Sequence, residues 1–270
     1  MDALHVGPFA LPIGPLVLLA AYLGGSFVAR LVSRNRQVDV EPMLWSILIV
    51  GLATARIAFV IMYLDAYRTS PWSMVDIRDG GFSPIAGFLA AAAFAAVLIW
   101  RKREARKPLL LSTLAGAIIW GAGLAAMTQT STATAQMPDL TLSRLDGGDI
   151  RLQSLIGKPL VINIWATWCP PCRREMPVLR DAQSRYQDVT FVFVNQGESI
   201  DAIRKYLSSE GLALDNVLLD PRMQLAGESG SYAMPTSLFF NRQGRLIDRR
   251  MGELSSATLE QRIAALRKAE

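Results

Sequence analysis

Cys169 and Cys172 are the only two cysteines among 270 residues, and they stand two residues apart in Trp168-Cys169-Pro170-Pro171-Cys172. A C-x-x-C pair that follows an apolar, β-branched run reads as a dithiol on a strand-to-helix turn. Val161-Ile162-Asn163-Ile164-Trp165 supplies the strand, and Arg173-Arg174-Glu175 onward supplies the helix. On such a turn Cys169 stands at the helix N-terminus, where unpaired N–H groups and the positive dipole end favour a thiolate. Cys172 lies one turn further in, shielded and placed to resolve a mixed disulfide. Other uses of the pair fit poorly. Zinc needs about four N/S ligands, and the chain adds only His5, far away in sequence. A purely structural disulfide across two residues closes a loop too short to restrain the unfolded chain much. The remaining chemistry is thiol–disulfide exchange, which needs no metal and no cofactor beyond the Cys169–Cys172 disulfide.

The elements that must position this turn are legible around it. Leu140 to Leu152 alternates about Asp146-Gly147-Gly148, a hairpin signal. Val189–Asn195 predicts a buried strand, and Ser199–Ser209 a helix stopped by Gly211. Phe239 to Ile247 predicts two strands joined by a turn, and Leu259, Ile263 and Leu266 mark one face of a closing helix that begins near Ser255. A segment of about 130 residues can bury its own core without staples.

Ile164-Trp165-Ala166-Thr167-Trp168-Cys169-Pro170-Pro171-Cys172 resembles the active-site segment of the thioredoxin superfamily, in particular its TlpA/ResA-like (DsbE-type) branch of membrane-anchored extracytoplasmic members. The resemblance covers about residues 137–270. Ala233-Met234-Pro235-Thr236 resembles the cis-proline loop that faces the dithiol in these folds. It implies that Trp168, Met234, Pro235 and Thr236 bind substrate, the Met234 backbone pairing with an extended segment. Val194-Asn195-Gln196-Gly197-Glu198-Ser199 resembles the branch's segment carrying an active-site glutamate, which makes Glu198 the third catalytic candidate beside Cys169 and Cys172. Asn163 is a departure, because cytoplasmic thioredoxins carry a buried aspartate there. An amide relays no proton, so assistance to Cys172 is expected from Glu198. Pro170 and Pro171 also offer no backbone N–H to the Cys169 sulfur, which favours a reductant.

The first half of the chain is of another kind. Mean hydropathy is positive overall, and four apolar stretches, at about 11–31, 43–64, 82–100 and 109–127, approach bilayer-spanning length. Arg30, Arg34 and Arg36 follow the first, and Arg101-Lys102-Arg103-Glu104-Ala105-Arg106-Lys107 follows the third. Basic loops stay in the cytoplasm, so both termini are expected outside. The net charge of +5 reflects these loops in part and does not indicate nucleic-acid binding. Val6-Gly7-Pro8, Ile13-Gly14-Pro15, Ala55-Arg56 and Asp79-Gly80-Gly81-Phe82-Ser83-Pro84-Ile85-Ala86-Gly87 resemble the N-terminal part of prolipoprotein diacylglyceryl transferase. That family carries a functional histidine where Ile85 stands, and its later helices have no counterpart here. A degenerate anchor is expected.

These readings predict an α-helical membrane region of four transmembrane helices (1–128), a linker (129–136) and an extracytoplasmic α/β thioredoxin-like domain (137–270). Ala133-Thr134-Ala135 also mimics a signal-peptide cleavage site. The expected activity is thiol:disulfide oxidoreduction in the periplasm, at a bacterial inner membrane. The direction is expected to be mainly reduction of exported proteins, and the ResA-like resemblance implies apocytochrome c, during cytochrome c maturation, or a partner dithiol protein as the target. The membrane half has no cysteine, so electrons are expected from a transmembrane donor of the DsbD/CcdA type. Oxidase or isomerase action, or a transferase-related membrane protein with an accessory redox domain, are the alternatives.

Overall fold

The computed structural model describes residues 3–6, 9–34, 38–68, 70–131, 135–230 and 232–269. Gly7, Pro8, Arg36, Thr132, Ala133 and Thr134, which enter the sequence reading, lie outside the described residues. Two compact units result, Met1–Leu64 with Gly81–Thr132, and Asp65–Gly80 with Ala133–Glu270.

The first unit opens with an antiparallel hairpin, β1 (Ala3–Val6) and β2 (Phe9–Pro12), that the apolar pattern did not announce. Helices α1 (Ile13–Ser33) and α2 (Glu41–Met62) follow. A short α3 (Leu64–Tyr67) begins the next connection, and α4 (Pro84–Arg101) and α5 (Arg106–Ser131) complete the set. Four of these helices are long and apolar enough to cross a membrane. Pro84 sits in the first turn of α4, where its missing N–H costs no helix bond. α1 runs along α5, and α2 along α4. Both contacts use small residues: a Cβ on Gly25 would lie 2.9 Å from the Ser112 carbonyl oxygen, and one on Gly87 2.9 Å from that of Gly51. Such seams suit helices in lipid, where close backbone packing holds neighbours together. Arg56, buried on α2, donates from Nη1 to the Gly81 carbonyl at 2.7 Å, which satisfies a charge that hydrocarbon would not. α5 continues to Ser131, into the stretch expected as linker.

The second unit is a seven-stranded mixed sheet in the order β4-β3-β7-β6-β5-β8-β9. Its strands are β3 (Thr141–Arg144), β4 (Asp149–Arg151), β5 (Leu160–Trp165), β6 (Thr190–Gln196), β7 (Val217–Asp220), β8 (Thr236–Phe240) and β9 (Leu246–Met251). Its helices are α6 (Pro170–Arg185), α7 (Ile200–Ser209), α8 (Gln224–Ser229) and α9 (Ser256–Lys268). β5 lies at the centre, parallel to β6 and antiparallel to β8. All six of its residues are buried, which is why it reads as a continuous apolar run. The pleat divides them. Val161 and Trp165 join the core under α6, α7 and α9, while Ile162 and Ile164 join the one that contains Leu142, Leu152 and Leu225. The end of the expected linker is also part of this sheet, since Gln136 bridges Arg245 and the Ala135 carbonyl accepts from the Leu246 N–H.

Candidate dithiol active site

β5 ends at the buried Trp165, and Ala166-Thr167-Trp168 turns the chain into α6. Cys169 is the N-cap residue of α6, with Pro170 and Pro171 in the first turn. This arrangement follows from the sequence, because proline is favoured where a helix N–H has no partner. Cys169 and Cys172 form a disulfide, with their Cα atoms 5.3 Å apart. The Cys169 sulfur accepts from the Cys172 N–H at 3.3 Å. Cys169 keeps 3% of its surface exposed and Cys172 none. Both cysteines are therefore buried and belong to the core cluster, so Cys169 is far less open than a helix N-cap suggests. Trp168 beside it is 64% exposed.

The peptide bond Met234–Pro235 is cis. Met234 is half-buried and packs against both cores, whereas Pro235 and Thr236 are buried. Thr236 Oγ1 donates to the Ala233 carbonyl at 2.6 Å, closing the loop on itself. The Pro235 carbonyl accepts from the Gly252 N–H at 2.8 Å, which ties this loop to the turn after β9.

Glu198 points at the loop ahead of the dithiol. Its carboxylate accepts from the Thr167 N–H and the Asn195 amide, each at 2.7 Å, and from the Thr167 hydroxyl. These three donors tie Glu198 to Thr167, two residues before Cys169, and to Asn195 on β6.

A second carboxylate, which the sequence reading passed over, lies deeper. Glu175 is fully buried on α6, three residues after Cys172 and so on the same helical face. Asn163 Nδ2 donates to its Oε1 at 2.7 Å and to Ser237 Oγ at 3.0 Å, and the Leu254 N–H donates to its Oε2 at 2.9 Å. Burial pushes the Glu175 carboxyl up to about 8, and the Leu254 and Asn163 hydrogen bonds only partly offset this. A signal was present in the sequence. Cys172, Met176 and Leu179 mark the buried stripe of α6, and Glu175 breaks that apolar pattern from within.

Among the described residues no group of three or more His, Cys, Asp or Glu side chains could hold a metal. The site thus combines a disulfide at a helix N-terminus, a cis-proline loop whose Met234 packs against the same core cluster, and a buried acid one turn along α6 from Cys172. These features define a thioredoxin-fold thiol:disulfide oxidoreductase.

Comparison with known proteins agrees. Residues 133–249 match the AhpC/TSA family and residues 2–127 match prolipoprotein diacylglyceryl transferase. Thiol-disulfide oxidoreductase ResA of Geobacillus thermodenitrificans is 30% identical over 132 residues, 48% of this chain and 75% of that protein. Thioredoxin-like protein YneN of Bacillus subtilis is also 30% identical over 132 residues, 47% of this chain and 76% of its own length. A secreted Mycobacterium tuberculosis disulfide oxidoreductase of known structure is 27% identical, with a TM-score of 0.43 over 47% of this chain and 96% of that one. The chain belongs, through its C-terminal half, to the ResA-like thiol-disulfide oxidoreductases, and it carries them on an N-terminal half similar to prolipoprotein diacylglyceryl transferase. At the position expected for that family's histidine, Ile85 is the second residue of α4 and is 75% exposed.

Proposed function

We propose that this protein is a membrane-anchored reductant of disulfides in exported proteins, with its dithiol domain on the periplasmic side of a bacterial inner membrane. The observation that carries the reading is the dithiol at the α6 N-terminus, with the cis Met234–Pro235 loop packed on the same core cluster and Glu175 buried one turn along α6 from Cys172. The Cys169 thiolate attacks a substrate disulfide held along Trp168 and Met234–Thr236. One substrate sulfur leaves as thiolate and a mixed disulfide forms. Cys172 gives its proton to the Glu175 carboxylate and attacks the Cys169 sulfur. The second substrate thiolate leaves, and the enzyme is left with the Cys169–Cys172 disulfide and a protonated Glu175. A carboxyl at about 8 is mostly protonated near neutral pH, so its ionised fraction accepts from Cys172, and because it lies close to an ordinary thiol near about 8.5 the proton passes at little cost either way. Glu198 acts as the support of the Thr167 loop.

Re-reduction needs two electrons that the membrane half, with no cysteine, does not carry. A transmembrane dithiol donor of the DsbD/CcdA type supplies them, and Glu175 then returns its proton to Cys172. Apocytochrome c or a partner dithiol protein are the expected substrates. The full chain in detergent should reduce insulin at the expense of a dithiol, and Cys169→Ala should not. Equilibration against glutathione should place the couple nearer about −270 mV than about −120 mV, since two prolines withhold N–H donors from the thiolate. A potential at the oxidising end makes the protein an oxidase or isomerase. Reporter fusions at the C-terminus should be active only in the periplasm.

A further inference from the structure

We propose that Asp79, in the connection between the second and third spans, is a positioning residue for the dithiol site, acting through the turn Gly252–Ser255. The proposal rests on Glu175 being the proton partner of Cys172. Residues 65–80 form one compact unit with 133–270, and the contact that joins them is polar and directional. Asp79 is only 5% exposed. Its Oδ2 accepts from Ser255 Oγ at 2.8 Å and from the Tyr67 hydroxyl at 3.1 Å. Arg250 Nη2 donates to the Asp79 carbonyl at 2.7 Å and to that of Arg78 at 3.3 Å. Gly80 is shaped to this contact, with a φ of +67° and a position where a Cβ would lie 2.7 Å from the Arg250 guanidinium. A buried carboxylate is costly without such partners, so the geometry that satisfies it also holds the groups around it in register.

Those groups lead inward. Ser255 follows Leu254 directly, and the Leu254 N–H is one of the two donors on the Glu175 carboxylate. On its other side the turn is tied to the cis-proline loop by the Gly252 N–H and the Pro235 carbonyl. β9, which leads into the turn, is the edge strand of the sheet and pairs on one side only, with β8. The 65–80 segment thus secures the outer side of a turn whose inner side orients the acid behind Cys172. Asp79 touches neither sulfur nor substrate. Its effect is on where the Leu254 amide points.

The test is a mutant cycle on the full chain in detergent, with insulin reduction measured per folded protein. Asp79→Ala should slow the reaction about fivefold, about 1 kcal/mol at the transition state. Asp79→Asn should recover most of the rate, because the amide oxygen still accepts from Ser255 and Tyr67. In a Glu175→Gln background Asp79→Ala should add less than about twofold, since the two act along one path. An Asp79→Ala rate equal to wild type, or a full fivefold loss in the Glu175→Gln background, overturns the proposal. If Asp79→Ala does not accumulate, Arg250→Met removes the donors to the same segment, and the same two comparisons decide. Glu175→Gln alone running at the wild-type rate instead overturns the role of Glu175. That outcome is separate from a failure of Asp79→Ala when Glu175→Gln is slow.

Discussion

Asn163 and Glu175 meet in the core behind the dithiol, Asn163 Nδ2 donating to Glu175 Oε1 at 2.7 Å. The pair reassigns a task within the fold. The strand residue that would be acidic in a cytoplasmic thioredoxin is an amide here, and the acid comes from α6. Asn163 is 1% exposed and Glu175 fully buried, so the carboxyl is shielded from water. Its ionisation is set by the Asn163 and Leu254 donors on one side and desolvation on the other. The Asn163 amide, as a donor, favours the charged form of Glu175, where a second carboxylate would oppose it.

Alkylation of the reduced protein near neutral pH should label Cys169 before Cys172. Cys169 has the only exposed surface of the two and sits at the N-cap of α6, where the dipole favours its thiolate. The narrow 3% opening predicts that small iodoacetamide-type reagents react much faster than bulky ones. Preferential labelling of Cys172, read by peptide mass, would falsify the assignment of nucleophile and resolving thiol.

Stability should fall as pH rises across the Glu175 titration. The carboxyl moves from an ordinary 4.5 to about 8 on folding, so between these values the native state holds a proton that the unfolded chain has released. By linkage the unfolding free energy then decreases with rising pH. The favourable term is whole below about 4.5 and is gone above about 8. Thermal melts of the oxidised protein should show a falling Tm over this window, and Glu175→Gln should flatten the slope because its side chain never ionises. An unchanged slope in that variant removes Glu175 as its source.

Glu198→Ala should leave the fold intact but free the loop before the dithiol. It removes the acceptor of the Thr167 N–H and hydroxyl and of the Asn195 amide. Hydrogen bonds to a charged group contribute about 1.5–3 kcal/mol each. Because Glu198 is only half-buried and water replaces part of them, a total loss of about 2 kcal/mol in stability is expected. Insulin reduction should drop, and hydrogen exchange at Thr167 should accelerate. A drop in rate with the Thr167 amide still protected would point to Glu198 acting on the sulfurs instead.

The amino-acid sequence by itself determined the features that depend on neighbours along the chain. An apolar β-branched run, two cysteines and two prolines specify a strand, an N-cap and a first helical turn within a dozen residues. The four apolar stretches declare membrane-length helices by length and composition alone, and the closing helix was visible from the spacing of Leu259, Ile263 and Leu266. Family resemblance added the Met234–Pro235 loop, which no local propensity would have placed against the dithiol. Other decisions belonged to tertiary structure. Glu198 and Glu175 are both glutamates near helix starts in sequence, and only the packing of β5, β6 and α6 shows that one accepts from the Thr167 loop while the other is fully buried against Asn163. The Leu254 amide and the Asp79 carboxylate are equally invisible locally, because they reach their partners across 79 and 176 residues. A residue's periodicity reports which face of its own element it occupies. What charge it carries there is set by the groups that other elements bring to that face.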